Sequence, residues 1–247
     1  MIKRIWILTL FPEMFKPFLE CGISGSAFRG ERSEEIKFEL SFVNIRDFSQ
    51  TKYKSVDDSP YGGGPGMVMR ADILREALIK GVKEAGGYDS LEQLHVIYTS
   101  PRGKVWNNKI ARNFGQNILG TNDKDLVFIA GRYEGIDERF LAKYVNDFYS
   151  VGDFVLTGGE LAIMLMLDSA VRFVPGILGN KLSSEDDSFE DGLIEFPQYT
   201  KPREFEGLEV PSILLEGHHK KIQEWQHQEK ITMTKKWRPD LLKDEKI

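Results

Sequence analysis

Apolar residues along this chain gather in short runs at 5–10, 36–45, 94–99, 126–130 and 148–156, and their length and β-branched or aromatic content predict strands. Between the runs, stretches at 12–20, 72–85, 107–119 and 138–145 show helical spacing. Within 72–85, Ile73, Leu74, Ala77, Leu78 and Val82 share one face, Asp72 is the expected N-cap, and Gly86-Gly87 the expected stop. Strands alternating with helices predict an α/β fold with a mostly parallel sheet covered on both sides. Ligands in such folds sit beyond the carboxyl ends of the strands. A further apolar helix is expected at 159–173, stopped by Val174-Pro175-Gly176. The acidic stretch 183–195 follows and reads as a linker. A polar helix at 213–237, carrying His218, His219, Lys220, Lys221, Trp225 and His227, predicts a small helical C-terminal domain.

Composition narrows the class. With 247 residues, 41% of them apolar and 11% aromatic, the chain can build a substantial core. The strongly apolar run from Leu161 to Leu167 ends at Asp168, far short of the roughly 20 residues of a membrane span. Residues 1–6 lead directly into a strand pattern without a small-residue cleavage site, so no signal peptide is expected. One cysteine, Cys21, excludes an internal disulfide and a cysteine-based zinc site, and points to the cytoplasm. The net charge of −5 argues at first against a nucleic-acid partner. Residues 181–195, however, hold six acids against Lys181, and the rest of the chain is balanced. A locally basic face is therefore compatible with the total.

Candidate chemistry lies in glycine-rich strings. Gly131-Arg132-Tyr133-Glu134-Gly135-Ile136-Asp137 follows one strand, Val151-Gly152-Asp153-Phe154-Val155-Leu156-Thr157-Gly158-Gly159-Glu160 continues another, and Thr99-Ser100-Pro101-Arg102-Gly103 ends a third. Each alone is an ordinary strand-to-helix turn. Together they predict three neighbouring loops whose backbone could clamp a ligand the size of adenosine, with glycines allowing close approach to a flat ring. Pro60-Tyr61-Gly62-Gly63-Gly64-Pro65-Gly66-Met67 is a further glycine-rich loop. Neither GxGxxG nor GxxxxGK[ST] occurs, which removes the usual support for dinucleotide and P-loop phosphate binding, and His95, His218, His219 and His227 lack HExxH zinc spacing. Glu185, Asp186 and Asp187 read either as a solvated charge run or as a source of a base. Arg172 reads either as a cation at a helix C-terminus or as an anion stabiliser beside a pocket.

These strings, in this order, resemble the bacterial tRNA (guanine-N1)-methyltransferase family of the SPOUT superfamily. The resemblance runs through Leu10-Phe11-Pro12-Glu13-Met14-Phe15, residues 56–69, 99–103, 131–137, 150–160, 172–179 and 185–189, and Pro197-Gln198-Tyr199-Thr200-Lys201-Pro202. It implies a deep trefoil knot and a homodimer whose sites are shared between subunits. It also implies bound S-adenosylmethionine. The loops that would hold that cofactor are Tyr98, Ser100 and Pro101; then Gly131, Tyr133 and Gly135; then Val151, Gly152, Asp153, Phe154, Val155, Leu156, Gly158 and Gly159. The implied reaction methylates N1 of guanosine at position 37 of tRNA, 3′ of the anticodon. Asp187 matches the family's general base, Arg172 the residue holding the charge on O6, and Glu134 a residue near the target base, where magnesium is a second candidate cofactor. No protein metal site is otherwise expected.

The implied organisation is a methyltransferase domain at 1–178, an acidic linker at 179–190 that would order with the substrate, and a tRNA-binding domain at 191–247. In the last, Trp225 is followed by Gln226, His227, Gln228 and Glu229 where the family carries arginines. Lys220, Lys221 and Arg238, with Lys235 and Lys236, are the tRNA-binding candidates. Two rivals stand beside this reading: a sibling enzyme acting on ribose 2′-OH or on rRNA, and an RNA-binding module without chemistry.

Overall fold

The computed structural model describes residues 1–121, 123–178 and 187–242. The chain divides into two compact units, Met1–Gly179 and Asn180–Ile247. In the first, the order is β1 (Ile2–Thr9), α1 (Lys16–Glu20), α2 (Gly22–Phe28), β2 (Lys37–Asn44), the two-residue strands β3 (Asp57–Asp58) and β4 (Val68–Met69), then α3 (Ala71–Glu76), β5 (Leu94–Val105), α4 (Asn108–Phe114), β6 (Asp125–Ile129), α5 (Glu138–Tyr144), β7 (Asp147–Ser150) and α6 (Glu160–Val171). Five strands form one parallel sheet in the order β2-β1-β6-β5-β7.

Alternation explains why the strand sequences read as continuous apolar runs. Ile5, Ile7, Leu126 and Phe128 enter one core cluster with α6 and α4, whereas Leu8, Val127 and Ile129 enter a second with α3 and α5. Both faces of the sheet are covered, as parallel sheets require.

Several expected boundaries move. The strand expected at 148–156 ends at Ser150, whose hydroxyl bonds Gly152 through its carbonyl (3.1 Å) and its N–H (3.3 Å), turning residues 151–159 out of the sheet. Conversely β5 continues to Val105: Thr99 and Lys104 both lie opposite Tyr149, so residues 100–103 form an excursion within the strand. Asp72 does not cap its helix. Arg70 occupies the N-cap, and its guanidinium takes both Asp72 oxygens at 2.7 and 3.1 Å. Helix α2 was absent from the pattern because its two glycines lower local helix propensity; burial of Ala27 and Phe28 supplies what propensity does not. Beyond α3 and α4 the helices continue in wider turns, Ala77–Glu84 and Gly115–Leu119.

The second unit contains a small hairpin, β8 (Glu204–Phe205) with β9 (Leu208–Glu209), and the long α7 (His219–Trp237). The helix expected from 213 starts later, after a separate turn at Ser212–Leu215. Of the acidic segment, Glu185 and Asp186 lie outside the described residues. From Asp187 onward the chain is bonded to α7: Lys230 Nζ donates to Asp191 at 3.0 Å, and Thr234 Oγ1 accepts the Ile194 N–H at 3.0 Å. Burial works to raise the pKa of the Asp191 carboxyl, but the hydrogen bond from buried Lys230, the Leu193 N–H and the lysine's charge together hold it below the usual carboxylate range.

Candidate active site

Because β6, β5 and β7 are adjacent and parallel, the loops at the carboxyl ends of β6 and β7 converge on the 100–103 excursion of β5. They enclose a cavity of about 420 Å³, within the roughly 300–1,000 Å³ usual for small-molecule sites. Tyr98, Ser100 and Pro101 line it from the first loop, Gly131, Tyr133, Glu134 and Gly135 from the second, and Val151, Gly152, Phe154, Val155, Leu156, Gly158 and Gly159 from the third. Asp153 is not among the lining residues. Tyr149, Thr157 and Ala162 are, although the sequence did not single them out.

The second and third loops touch through backbone: the Gly159 N–H donates to the Gly131 carbonyl at 2.9 Å. A Cβ on Gly159 would lie 2.6 Å from Thr99 Oγ1 and 2.9 Å from Ala130 Cα, so any larger residue would force the loops apart. At Gly131 and Gly152 a side chain would collide with the protein's own aromatics. A Cβ at Gly131 would meet the Tyr98 ring at 2.7 Å, and one at Gly152 the Phe154 ring at 2.5 Å, so the protein's own aromatics take that space. Burial raises the pKa of the Tyr98 phenol, and burial together with the Asp147 charge pushes that of Tyr149 up to about 12.

Arg132, which also lines the cavity, belongs to a charged hub that sequence reasoning missed. Glu160, the first residue of α6, is fully buried. Its Oε1 accepts the Thr9 hydroxyl at 2.7 Å and Arg132 Nε at 3.3 Å. Its Oε2 lies 2.9 Å from Arg132 Nη2 but off the N–H axis, so that contact is charge pairing rather than an aligned hydrogen bond. Arg132 Nη1 donates to the Thr157 carbonyl at 3.1 Å, and the guanidinium sits 4.5 Å from the Phe11 ring centroid. One side chain thus ties the strings at 10–15, 131–137 and 150–160 together. The available signal was an acid opening an otherwise apolar helix, where the dipole favours a negative charge; its partner, 28 residues away, was not legible. Arg132→Met should strand a buried carboxylate and lower unfolding free energy by about 3–5 kcal/mol. A urea midpoint unchanged from wild type would remove the hub from the stability account.

The remaining expected residues are distributed over both units. Arg172, exposed, is the C-cap of α6 in the first unit, and half-buried Asp187 belongs to the second. Lys220 and Lys221 are exposed in the first turn of α7. Arg238 follows α7, engaged by Asp240 at 2.7 Å and placed 5.7 Å from the Phe189 ring. No group of three or more His, Cys, Asp or Glu side chains able to hold a metal occurs among the described residues. Glu134 Oε2 accepts the Met67 N–H at 2.6 Å, an engagement the magnesium expectation did not anticipate.

Comparisons with known proteins bear on what this arrangement does. The family model described as tRNA (Guanine-1)-methyltransferase TrmD matches residues 3–244. A tRNA (guanine-N(1)-)-methyltransferase of Lactobacillus delbrueckii subsp. bulgaricus is 47% identical over 97% of this chain and 89% of its own length. Those of Geobacter sulfurreducens (46%, over 96% and 89%) and Clostridioides difficile (43%, over 97% of both) are similar along nearly the same span. A match of this extent, over the loops that build the cavity and the segment that carries Asp187, means that the chain belongs to the tRNA (guanine-N1)-methyltransferase family.

Proposed function

We propose that the enzyme transfers a methyl group from S-adenosylmethionine to N1 of guanosine 37 of tRNA, 3′ of the anticodon, with Asp187 as general base and Arg172 holding the charge that appears on O6. The carrying observation is the convergence on one cavity of three glycine-containing segments, the 100–103 excursion of β5 and the loops that follow β6 and β7, in a chain of this family.

Backbone groups of those loops, the Ser100 hydroxyl and the apolar walls of Val151, Leu156 and Ala162 suit a ligand with one flat polar ring system and an aliphatic arm. When bound, S-adenosylmethionine supplies an electrophilic methyl group. Guanosine N1 carries a proton at neutral pH, so Asp187 takes that proton as the nitrogen attacks. Arg172, a fixed cation with donors only, accepts no proton and stabilises the negative charge displaced to O6.

A deep trefoil knot is part of this reading. It is supported by the re-pairing of β5 with Tyr149 on both sides of the 100–103 excursion and by the Gly159–Gly131 bond between the second and third loops. So is a homodimer with shared sites. Leu161 and Leu165, four residues apart on α6, are about half exposed and lie on one face of that helix, an apolar pair a second copy could cover. Residues 1–178 would then form the methyltransferase domain, 179–190 the linker, and 191–247 the tRNA-binding domain. The lone, exposed Cys21 suits a reducing cytoplasm, and no described helix is long and apolar enough to cross a membrane.

Lys220 and Lys221 stand where the helix dipole disfavours cations, so they do not serve α7 itself. Assigned to tRNA phosphates, their removal should weaken tRNA binding and flatten the salt dependence by about 1 in log–log slope per lysine, leaving the choice of base unaltered. A fluorescence titration across salt concentrations checks this; an unchanged slope places the phosphate contacts elsewhere. The function as a whole is tested by labelled methyl transfer to an unmodified tRNA transcript with the product nucleoside identified. 1-Methylguanosine is expected, and 2′-O-methylated ribose would overturn the reading in favour of the sibling enzyme.

A further inference from the structure

Four glycines of the 60–67 loop, Gly62, Gly63, Gly64 and Gly66, have positive φ (87°, 77°, 118° and 88°). The first three differ from the fourth. A Cβ on any of them would meet nothing within 4 Å, so within this chain their positive φ is the only demand for glycine. A Cβ on Gly66 would fall onto the carboxyl group of Glu134. That carboxyl accepts the Met67 N–H at 2.6 Å, while the Glu134 N–H donates to the Met67 carbonyl at 3.1 Å. The chain then zips on: the Met69 N–H donates to Gly135 at 2.9 Å, and the Asp137 N–H to Met69 at 3.0 Å. Glu134 and Gly135 line the cavity, so the loop's inner end is fastened to the cavity wall by backbone bonds and, at Met67, by one side chain.

We propose that Glu134 is a positioning residue for methyl transfer, acting as a latch that seats the 60–67 loop through the Met67 amide, with Gly66 as the seat that only a residue without Cβ can provide. This deepens the methyl-transfer reading of the cavity and rests on it. The latch needs an oxygen acceptor, not a charge. A glutamine keeps the acceptor and the length of the side chain; an alanine keeps neither. A role in which Glu134 holds a cation or takes a proton would instead require the carboxylate.

The experiment compares Glu134→Ala, Glu134→Gln and Gly66→Ala in the full-length enzyme. It uses steady-state methyl transfer to a tRNA transcript, hydrogen exchange of peptides spanning 60–69, and a thermal unfolding control. A displacement of catalytic geometry of about 1 Å can cost on the order of 10²-fold. Accordingly Glu134→Ala and Gly66→Ala should lower kcat by roughly 10- to 100-fold with KM for tRNA little changed, and exchange at 60–69 should accelerate. Glu134→Gln should recover most of both losses. A glutamine variant as impaired as the alanine variant overturns the latch, as does unchanged exchange in Glu134→Ala, or faster exchange with undiminished turnover. Should Gly66→Ala fail to fold, the two Glu134 variants decide alone. Absence of 1-methylguanosine from the wild-type reaction would defeat the methyl-transfer reading, and with it the catalytic role of the latch, whereas the exchange data alone report whether the contact exists.

Discussion

Replacing the guanosine 3′ of the anticodon by adenosine should reduce methyl transfer by roughly 10⁴–10⁵-fold, the discrimination reached when a closed site built for one hydrogen-bonding pattern meets another. Guanine presents an N1 proton for a base to remove and an O6 acceptor for a cation. Adenine presents an unprotonated N1 and an amino donor at the same edge. The Arg172 guanidinium has donors only, so facing that amino group it would lose its partner, and the base would have no proton to take. Single-turnover transfer of labelled methyl groups to the two transcripts, at saturating enzyme, measures the ratio. Equal labelling of both would transfer the argument to an enzyme that does not read the base edge.

Substituting Asp187 by alanine should cut the single-turnover rate by about 10²–10⁴-fold, the usual contribution of a positioned general base. Cofactor affinity, measured by calorimetry, should stay close to wild type, because the cavity-lining loops are those of the first unit whereas Asp187 belongs to the second. The pattern to expect is a loss in the chemical step with binding retained, the signature of an interaction made in the transition state. Near-normal turnover of Asp187→Ala would strip that residue of the role.

The five strands were legible in the sequence, since each is a short apolar run with turn residues near its ends, and parallel pairing followed from their alternation with helices. Their ends were less so. The run at 148–156 reads as one strand, yet the Ser150 hydroxyl bonding Gly152 stops pairing at Ser150, and periodicity does not register a side-chain bond of that kind. The candidate loops were legible as glycine-rich strings after neighbouring strands. Their shared cavity depended on a strand order that no local pattern encodes.

The sequence by itself determined the five strands of the main sheet and most of the longer helices, where the glycine-rich loops fall, and, through its motifs, the family. These are properties of contiguous residues, set by propensity and burial periodicity over a few positions. Only the tertiary structure decided that Arg132 spans from Phe11 to Glu160, that Glu134 reaches back 67 residues to the Met67 amide, and that a side chain at Gly131 or Gly152 would collide with Tyr98 or Phe154. Contacts of that kind depend on the path of the chain between distant positions, and a buried ion pair or an amide bonded by a carboxylate leaves no periodic trace in either partner's neighbourhood.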